Sequence, residues 1–591
     1  MIRTFRILAV AVLTALAVAS PVSGQEADQK DKVGGLAFVD EVQVTVVNID
    51  VFVRDRNGNA VVDLSEKDFR LSHDGSERKL SHFAAYTQDE IARLMAEREK
   101  QKSAELPLTP GADEGPAGAD RAASPADLVQ PVHIVFYIDN ENIRPFDRNR
   151  VLTQVRRFVD EMQQPHIQMM VVSVQRSPKI VQGFTNDAKA VKDALRSITQ
   201  VYGARTDFDL ARGRIIHDLQ QMMDESPNSG GRGDPREAQI IQDRIRSYAE
   251  EISMELGYSI NSLREVLTSL AGIPGRRILV HVSSGLPAVP GRDLIDWYGD
   301  LYQKTSTLPM LSRFNRRQVF DSVASSANAQ GVTFYTIDAS GLAGGGQASA
   351  EHARPIDPLI ASIHTLNYQE PLIFLAEKTG GRAIVDSNDA TRLLEEMRND
   401  IFTYYSLGYT LSSSGSDTVH RIEVELPGHP EYDLVYRRTL VEKSLETQVQ
   451  DRVVSGLMLA LDENPMKLEL TAGVPKPATG DRWILPIEVA FPLESIALLP
   501  EAGEYVGRVV LFVANRDLKG RQSDVQRQQF EIHMPSNDYE TRRGERYVAA
   551  FDLLLDAGDH KMVVGVLDPI TRQSSFVSLR QVVAAGTSQR K

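Results

Sequence analysis

In FYIDNENIRP, residues 136–145, an apolar run ends at Asp139 and gives way to a polar turn closed by Pro145. With the preceding VHIV it reads as a buried strand that delivers an aspartate to a loop. Apolar runs of the same kind recur in IQMMVVSV, RRILVHVSS, GVTFYTID and GRAIVD. Helical periodicity fills the intervals at residues 147–164, 187–199, 208–224, 235–271, 313–329 and 391–404, and the glycines of TGG end a further helix before GRAIVD. This alternation predicts a doubly wound, mostly parallel sheet over residues 130–405, with PKIVQGF as an antiparallel edge beside the second strand.

Both flanks are β-rich. Residues 36–87 alternate β-branched and polar side chains, with Asn57-Gly58 and Asp74-Gly75 where hairpins would reverse, and with Ser65 and Asp68 spaced as a helix cap between strands. Three short β runs, YSLGYTLS, HRIEVELP and YDLVYRRTL, follow in residues 406–445. A cysteine-free module of about 50 residues is too small to hold a core alone. The flanks are therefore expected to pair into one β-sandwich, with the α/β domain inserted in it or flanked by it and the ends of the insert close together. A charged helical run and then a Pro-, Ala- and Gly-rich stretch, residues 88–129, read as a linker. Seven runs from KLELTAG to SSFVSLRQVV predict a C-terminal immunoglobulin-like β-sandwich over residues 451–585, with Trp483 in its core.

At 591 residues the chain needs several cores, so the expected class is multidomain α/β plus β. Arg3 and Arg6 precede an apolar run, and small residues precede Gln25, which reads as a signal peptide over residues 1–24 with cleavage near Gly24. No other segment is long and apolar enough to span a bilayer, so a secreted or periplasmic protein with no membrane span after signal cleavage is expected. Absence of cysteine excludes disulfides and thiol chemistry. Eighty acidic and 66 basic residues, net -14, disfavour nucleic acid and anionic lipid as partners.

The α/β region resembles a von Willebrand factor A domain in its first strand ending in aspartate, its edge hairpin, and a fourth strand introduced by PGRRILVHVSSG. With VNIDVFVRDRNGNAVVDLSEKDFRLSHDG before it and LAEKTGG and YYSLGYT after it, the chain is similar over residues 42–440 to exported bacterial proteins described as von Willebrand factor A related, common in acidobacteria. The resemblance implies a metal-ion-dependent adhesion site: Asp-x-Ser-x-Ser after the first strand, a threonine from a second loop and an aspartate after the fourth strand. Such a site holds a hard divalent cation with an open position for a partner's acidic group. Here Asp139 and, in YGARTDFD, Thr206 match that pattern. Glu141 and Ile143 replace the serines, and Ser284 stands where the resemblance implies aspartate, so the site is degenerate.

Two outcomes follow for the loop: no cofactor, with Asp139 capping its own turn, or Mg or Ca held by Asp139, Glu141 and Thr206. In either case the ligand-binding face is expected where Asp139, Glu141, Asn142, Thr206, Asp207, Ser283 and Ser284 converge at the carboxyl ends of the strands. Other motifs read as ordinary structure. The Arg-Gly-Asp triplet at 232–234 is a glycine-rich loop before a helix that Pro235 opens, and SGLAGGGQAS lacks the lysine of a phosphate loop. Ser283-Ser284 lacks the glycines of a nucleophile elbow, and no His-Glu-x-x-His pair occurs. The leading expectation is an exported, non-enzymatic interaction or adhesion-type protein with an envelope or extracellular protein partner. The alternatives are Mg- or Ca-dependent binding through the modified site, and a hydrolase using the Asp139 and Glu141 carboxylates as acid and base.

Overall fold

Alternating β-branched residues form β1 (Gln43–Arg54), and the turn at Asp74-Gly75 joins β2 (Arg70–His73) to β3 (Ser76–Arg78) in the computed structural model. Both turn residues have positive φ, 51° and 76°, as a two-residue hairpin of this hand requires. Asp68 accepts from the Ser65 backbone N–H at 2.7 Å, closing the short turn before β2. β4 (Leu80–Tyr86) and α1 (Gln88–Ala104) follow. The structure describes residues 43–104 except 57, 130–225 except 202 and 204, 235–302, 307–342, 356–413, 417–459, and 463–583 except 481. The signal segment, residues 105–129, the Arg-Gly-Asp triplet and most of SGLAGGGQAS lie outside the described residues.

The central sheet contains β5 (Val132–Asp139), β6 (Ile167–Val174), β7 (Pro178–Thr185), β8 (Arg276–Ser283), β9 (Val332–Asp338) and β10 (Ala383–Ile384). Their order is β10-β9-β8-β5-β6-β7, parallel throughout except for the antiparallel edge β7. The doubly wound, mostly parallel sheet read from the sequence is therefore present. Both faces are covered, which is why its strands are continuously apolar. Ile134, Phe136 and Ile138 of β5 pack with Leu152, Val155 and Val159 of α2 (Pro145–Glu161), next to α3 (Ala188–Ile198). On the other face Val135 and Tyr137 meet Leu263 and Leu267 of a long helix, which comes after α4 (Arg205–Glu225) and is α5 (Pro235–Leu270).

Between β8 and β9 run α6 (Arg292–Tyr302), α7 (Leu308–Phe314) and α8 (Arg317–Ala329); α9 (Pro358–Lys378) precedes β10 and α10 (Thr391–Phe402) follows it. Pro371 inside α9 removes the N–H that the Asn367 carbonyl would take in a regular helix. Ala288 N–H donates to that carbonyl at 2.9 Å, and Leu286 N–H donates to Tyr368 O at 3.2 Å. The loop after β8 is thus hung on α9. Gly285 permits the approach: its φ is 92°, and a Cβ would lie 2.5 Å from Tyr368 O.

Chain beyond α10 returns to the flank as β11 (Tyr404–Ser413), β12 (Thr418–Glu425), β13 (Asp433–Tyr436), β14 (Thr439–Glu442) and α11 (Leu445–Met458). Two four-stranded sheets result, β13-β1-β11-β4 and β14-β12-β2-β3, each mixing strands from before and after the central domain. Phe69 packs across them on Tyr405 at 5.0 Å and Phe83 at 5.8 Å. Tyr405 OH donates to Val61 O at 3.0 Å and accepts from Leu64 N–H at 3.1 Å. A buried ion pair ties β1 to α10: Arg54 meets Asp400 at 2.5 Å, and Tyr335 OH donates to the same carboxylate at 2.6 Å.

The chain forms two compact units, and residues from 462 onward make up most of the second. There β17 (Arg482–Pro492) pairs with β21 (Arg546–Asp556), with β15 (Glu469–Ala472) and β16 (Lys476–Pro477) beside it. The other sheet is built on β19 (Glu504–Asp517), which pairs with β18 (Leu499–Glu501), β20 (Gln526–Pro535) and β22 (Gly558–Leu567); β23 (Ser574–Val583) extends it. Inward residues Leu485, Ile487 and Val489 share one core with Val509, Leu511 and Val564, and Trp483 packs partly buried against it.

Asp400 gives the first test. Its loss leaves the buried Arg54 guanidinium without a carboxylate, so Asp400→Ala is expected to lower the unfolding free energy by about 3–5 kcal/mol in urea titration. A loss below about 1 kcal/mol would mean that this pair is not what fixes β1 to α10.

Candidate functional site

β5 and β8 end side by side, with Ile138 paired to Val282, so Asp139 and Ser283 leave the sheet together. Ser283 Oγ donates to Asp139 Oδ2 at 3.1 Å. Asn142 turns back on the same carboxylate: its backbone N–H donates to Oδ1 at 3.2 Å, and its side-chain amide lies 3.1 and 3.0 Å from the two oxygens. That amide also donates to Ser259 Oγ at 2.9 Å, and Ser284 N–H donates to Asn142 O at 3.0 Å. Asp139 therefore caps its own turn and welds the first loop to the one after β8.

The second loop is fixed through Asn140 and Arg148. Asn140 Oδ1 accepts from the buried Arg148 guanidinium at 2.8 Å, and Arg148 also donates to the Thr199 carbonyl at 2.8 Å. Gly203 then passes so close that a Cβ there would fall 1.5 Å from Asn140 O. Of the residues expected on this face, Asp139, Asn142, Ser283 and Ser284 are joined by hydrogen bonds, and Glu141 is buried beside them. Thr206 and Asp207 are exposed on the first turn of α4, and among the described residues no hydrogen bond joins either to Asp139.

These residues, as placed, do not fit a divalent cation in the manner of an adhesion site. Both Asp139 oxygens face the Asn142 amide, Ile143 is apolar and buried, and Thr206 points to solvent. Ser284 Oγ is buried without a hydrogen-bond partner and lines the neighbouring cavity.

That cavity, about 440 Å³, opens at the same strand ends. Four arginines line it, Arg144, Arg150, Arg205 and Arg212, against three aspartates, Asp147, Asp209 and Asp338. Arg144 and Arg205 share Asp209 at 2.7 and 3.3 Å. Burial alone would raise the Asp209 carboxyl, but the two guanidiniums hold it below its ordinary value. Arg205 also lies over the Tyr368 ring at 4.4 Å, a cation held against an aromatic face. Deeper in, Arg212 Nε donates to buried Asp293 at 2.7 Å. His364 lies 3.5 Å from Asp293, and burial together with Arg212 pushes its imidazole down to about 4 despite that carboxylate. It is therefore uncharged at neutral pH.

Basic residues are not ligands in the implied adhesion site, so its motif carries no signal for these arginines. Arg144 nevertheless stands in FYIDNENIRP and Arg205 in YGARTDFD. Asp338 carried a usable signal, since GVTFYTID ends in aspartate as VHIVFYID does. His364 and Arg212 carried none, because each lies inside a helix and only tertiary packing brings it here.

No family model matches the chain, and no curated protein matches it. Solved structures similar to it include an aerotolerance-related membrane protein from Bacteroides fragilis, at 11% identity and TM-score 0.22, covering 46% of this chain and 98% of that one. The vWF domain of the type V pili tip protein Mfa5 from Porphyromonas gingivalis matches at 12% identity and TM-score 0.24, over 46% and 96% of the two chains. The PilB minor pilin from Streptococcus sanguinis matches at 11% and 0.25, over 47% and 63%.

Glu141 supplies a test of the site's electrostatics. Burial, then the nearby Glu255 and Asp139, raise its carboxyl above the ordinary 4.5, with Arg176 opposing. A folded-state value above the unfolded one means that stability is lost as pH rises from about 4.5, because the folded chain holds the proton more tightly. Glu141→Gln is expected to raise Tm at pH 7 and to change it little at pH 4. An equal effect at both pH values would show that charge at Glu141 is not what matters.

Proposed function

We propose that the chain is an exported, non-enzymatic protein-interaction protein of adhesion type, in which a von Willebrand factor A-like domain with a degenerate adhesion site docks a protein partner without a metal ion. The observation that carries this reading is the arginine-lined cavity at the carboxyl ends of β5, β8 and β9. Its rim exposes Phe146 and Leu342, 78% and 55% accessible, beside Arg144. An exposed aromatic next to arginine at the mouth of a pocket is the combination that anchors protein interfaces. In a metal-dependent site the cation receives the partner's acidic group; here guanidiniums occupy the same edge, and a guanidinium takes a carboxylate through two parallel hydrogen bonds.

A non-enzymatic reading is supported by the placement of the carboxylates. Neither Asp139 nor Glu141 is among the residues lining the cavity, and both Asp139 oxygens already accept from neutral donors. A general acid and base must instead reach a common substrate atom. Export rests on the Arg-apolar-small pattern of residues 1–24. Among the described residues no helix is long and apolar enough to cross a membrane. The C-terminal pair of sheets is read as an immunoglobulin-like accessory module.

The test is retention of envelope or surface proteins, from the cells that make it, on the immobilised mature protein. Arg144→Ser and Phe146→Ser, both at accessible positions, are each expected to weaken retention about tenfold or more with an unchanged circular dichroism spectrum. Undiminished retention by both variants would move the contact elsewhere, and no retention by the parent would remove the reading.

A further inference from the structure

The flank sandwich holds a polar cluster that the docking face does not use. His73 ends β2, Asp74 opens the β2–β3 turn, and His420 lies on β12, which pairs with β2 through Ile422 and His73. His420 is two residues from Ile422, so the two imidazoles stand on one face of the sheet. Their ring centroids are 4.5 Å apart.

Both rings turn one nitrogen to the same carboxylate oxygen. His73 Nε2 lies 3.4 Å and His420 Nδ1 2.9 Å from Asp74 Oδ2. The other nitrogen of each ring is already engaged, His73 Nδ1 with Tyr409 OH at 2.7 Å and His420 Nε2 with Glu442 Oε2 at 3.3 Å. Asp74 is itself fixed: Oδ1 accepts from Arg421 N–H at 2.8 Å, and its own N–H donates to Arg421 O at 2.9 Å. Among the described residues, this is the one group of three such side chains whose ligand atoms all lie within 4.8 Å of one another.

We propose that His73 Nε2, His420 Nδ1 and Asp74 Oδ2 bind a single zinc-type divalent ion, with water in the fourth position. Tetrahedral zinc with bonds of about 2.0–2.1 Å places its ligand atoms about 3.4 Å apart, the spacing already present between His73 and Asp74. Two imidazoles and one carboxylate suit zinc and its neighbours in the first transition row rather than Mg or Ca, which favour oxygen alone. Tyr409 and Glu442 would orient the rings from behind, as hydroxyl and carboxylate partners do for metal-bound histidines. With zinc on His420 Nδ1, that ring's proton would sit on Nε2, where it donates to the Glu442 carboxylate. The side chains of His73 and His420 are 4% and 14% accessible and that of Asp74 is 51%, so the ion enters past Asp74. Once bound, it clamps the β2–β3 hairpin to a strand that lies on the far side of the inserted domain in sequence.

The test is calorimetric titration of the untagged full mature chain, stripped with EDTA and dialysed, with zinc chloride and separately with magnesium chloride. One equivalent of zinc is expected to bind and to raise Tm, and magnesium is expected to do neither. Asp74→Asn, which retains a side chain tolerant of the positive φ at this turn, and His420→Ala should each weaken zinc binding at least about a hundredfold. Glu442→Gln, which removes no ligand atom, should keep one equivalent and weaken it about tenfold. No zinc binding by the parent, or binding by His420→Ala and Asp74→Asn equal to that of the parent, would overturn the site.

Discussion

Tyr86 and Tyr404 form one rung of the β4–β11 ladder, and their rings stack at 4.9 Å. The chain leaves the flank sandwich after the first and re-enters it at the second, so everything between them must begin and end at one point. An α/β domain can satisfy this because chain ends commonly lie close together on a compact fold. Arg276 at the start of β8 reinforces the junction. Its guanidinium donates to the carbonyls of Asp400 and Ile401 at the end of α10, contacts Asp50 at 3.2 Å, and lies over the rings of Phe52 and Tyr404. A cation at a helix C-terminus is favourable in itself, and here it also joins three elements into one core. Cooperation of this kind is how a cysteine-free flank of short strands becomes stable.

The same rigidity decides what the far edge of the sheet can do. Asp139, the residue most suggestive of a metal, is consumed by holding loops together, and its hydrogen bonds to Asn142 and Ser283 fix the strand ends beneath the cavity. Outward of Asp139 stand the charges of Arg144 and Arg205, which share Asp209. Two guanidiniums on one carboxylate leave hydrogen-bonding capacity for an incoming acidic group. In the proposed function this edge of the sheet takes the partner, through arginine rather than a cation.

Much of the fold was legible because period and punctuation agreed. The five parallel strands are continuously apolar and the C-terminal strands alternate between turns, so both patterns identify their elements without tertiary information. Helices α6, α9 and α11 were less visible. Helix α9 is buried on several sides and shows no single apolar face, and Pro371 reads as a breaker although its freed carbonyl is taken by Ala288. Site residues divided along the same line. Asp139 and Ser283 were found because they end strands, whereas Thr206 met the spacing of a motif yet stands exposed on a helix. Pairing of His73 with His420 depends on strand register between segments more than 300 residues apart, which no local pattern encodes.

The proposed docking face works without a cation. The most direct test of this is the affinity of a retained partner for the purified chain, measured in EDTA and then with Mg or Ca added, at two salt concentrations. Affinity is expected to be unchanged by either ion and to fall as salt screens the arginines, as cation-free docking requires. Binding lost in EDTA and restored by Mg or Ca would contradict it.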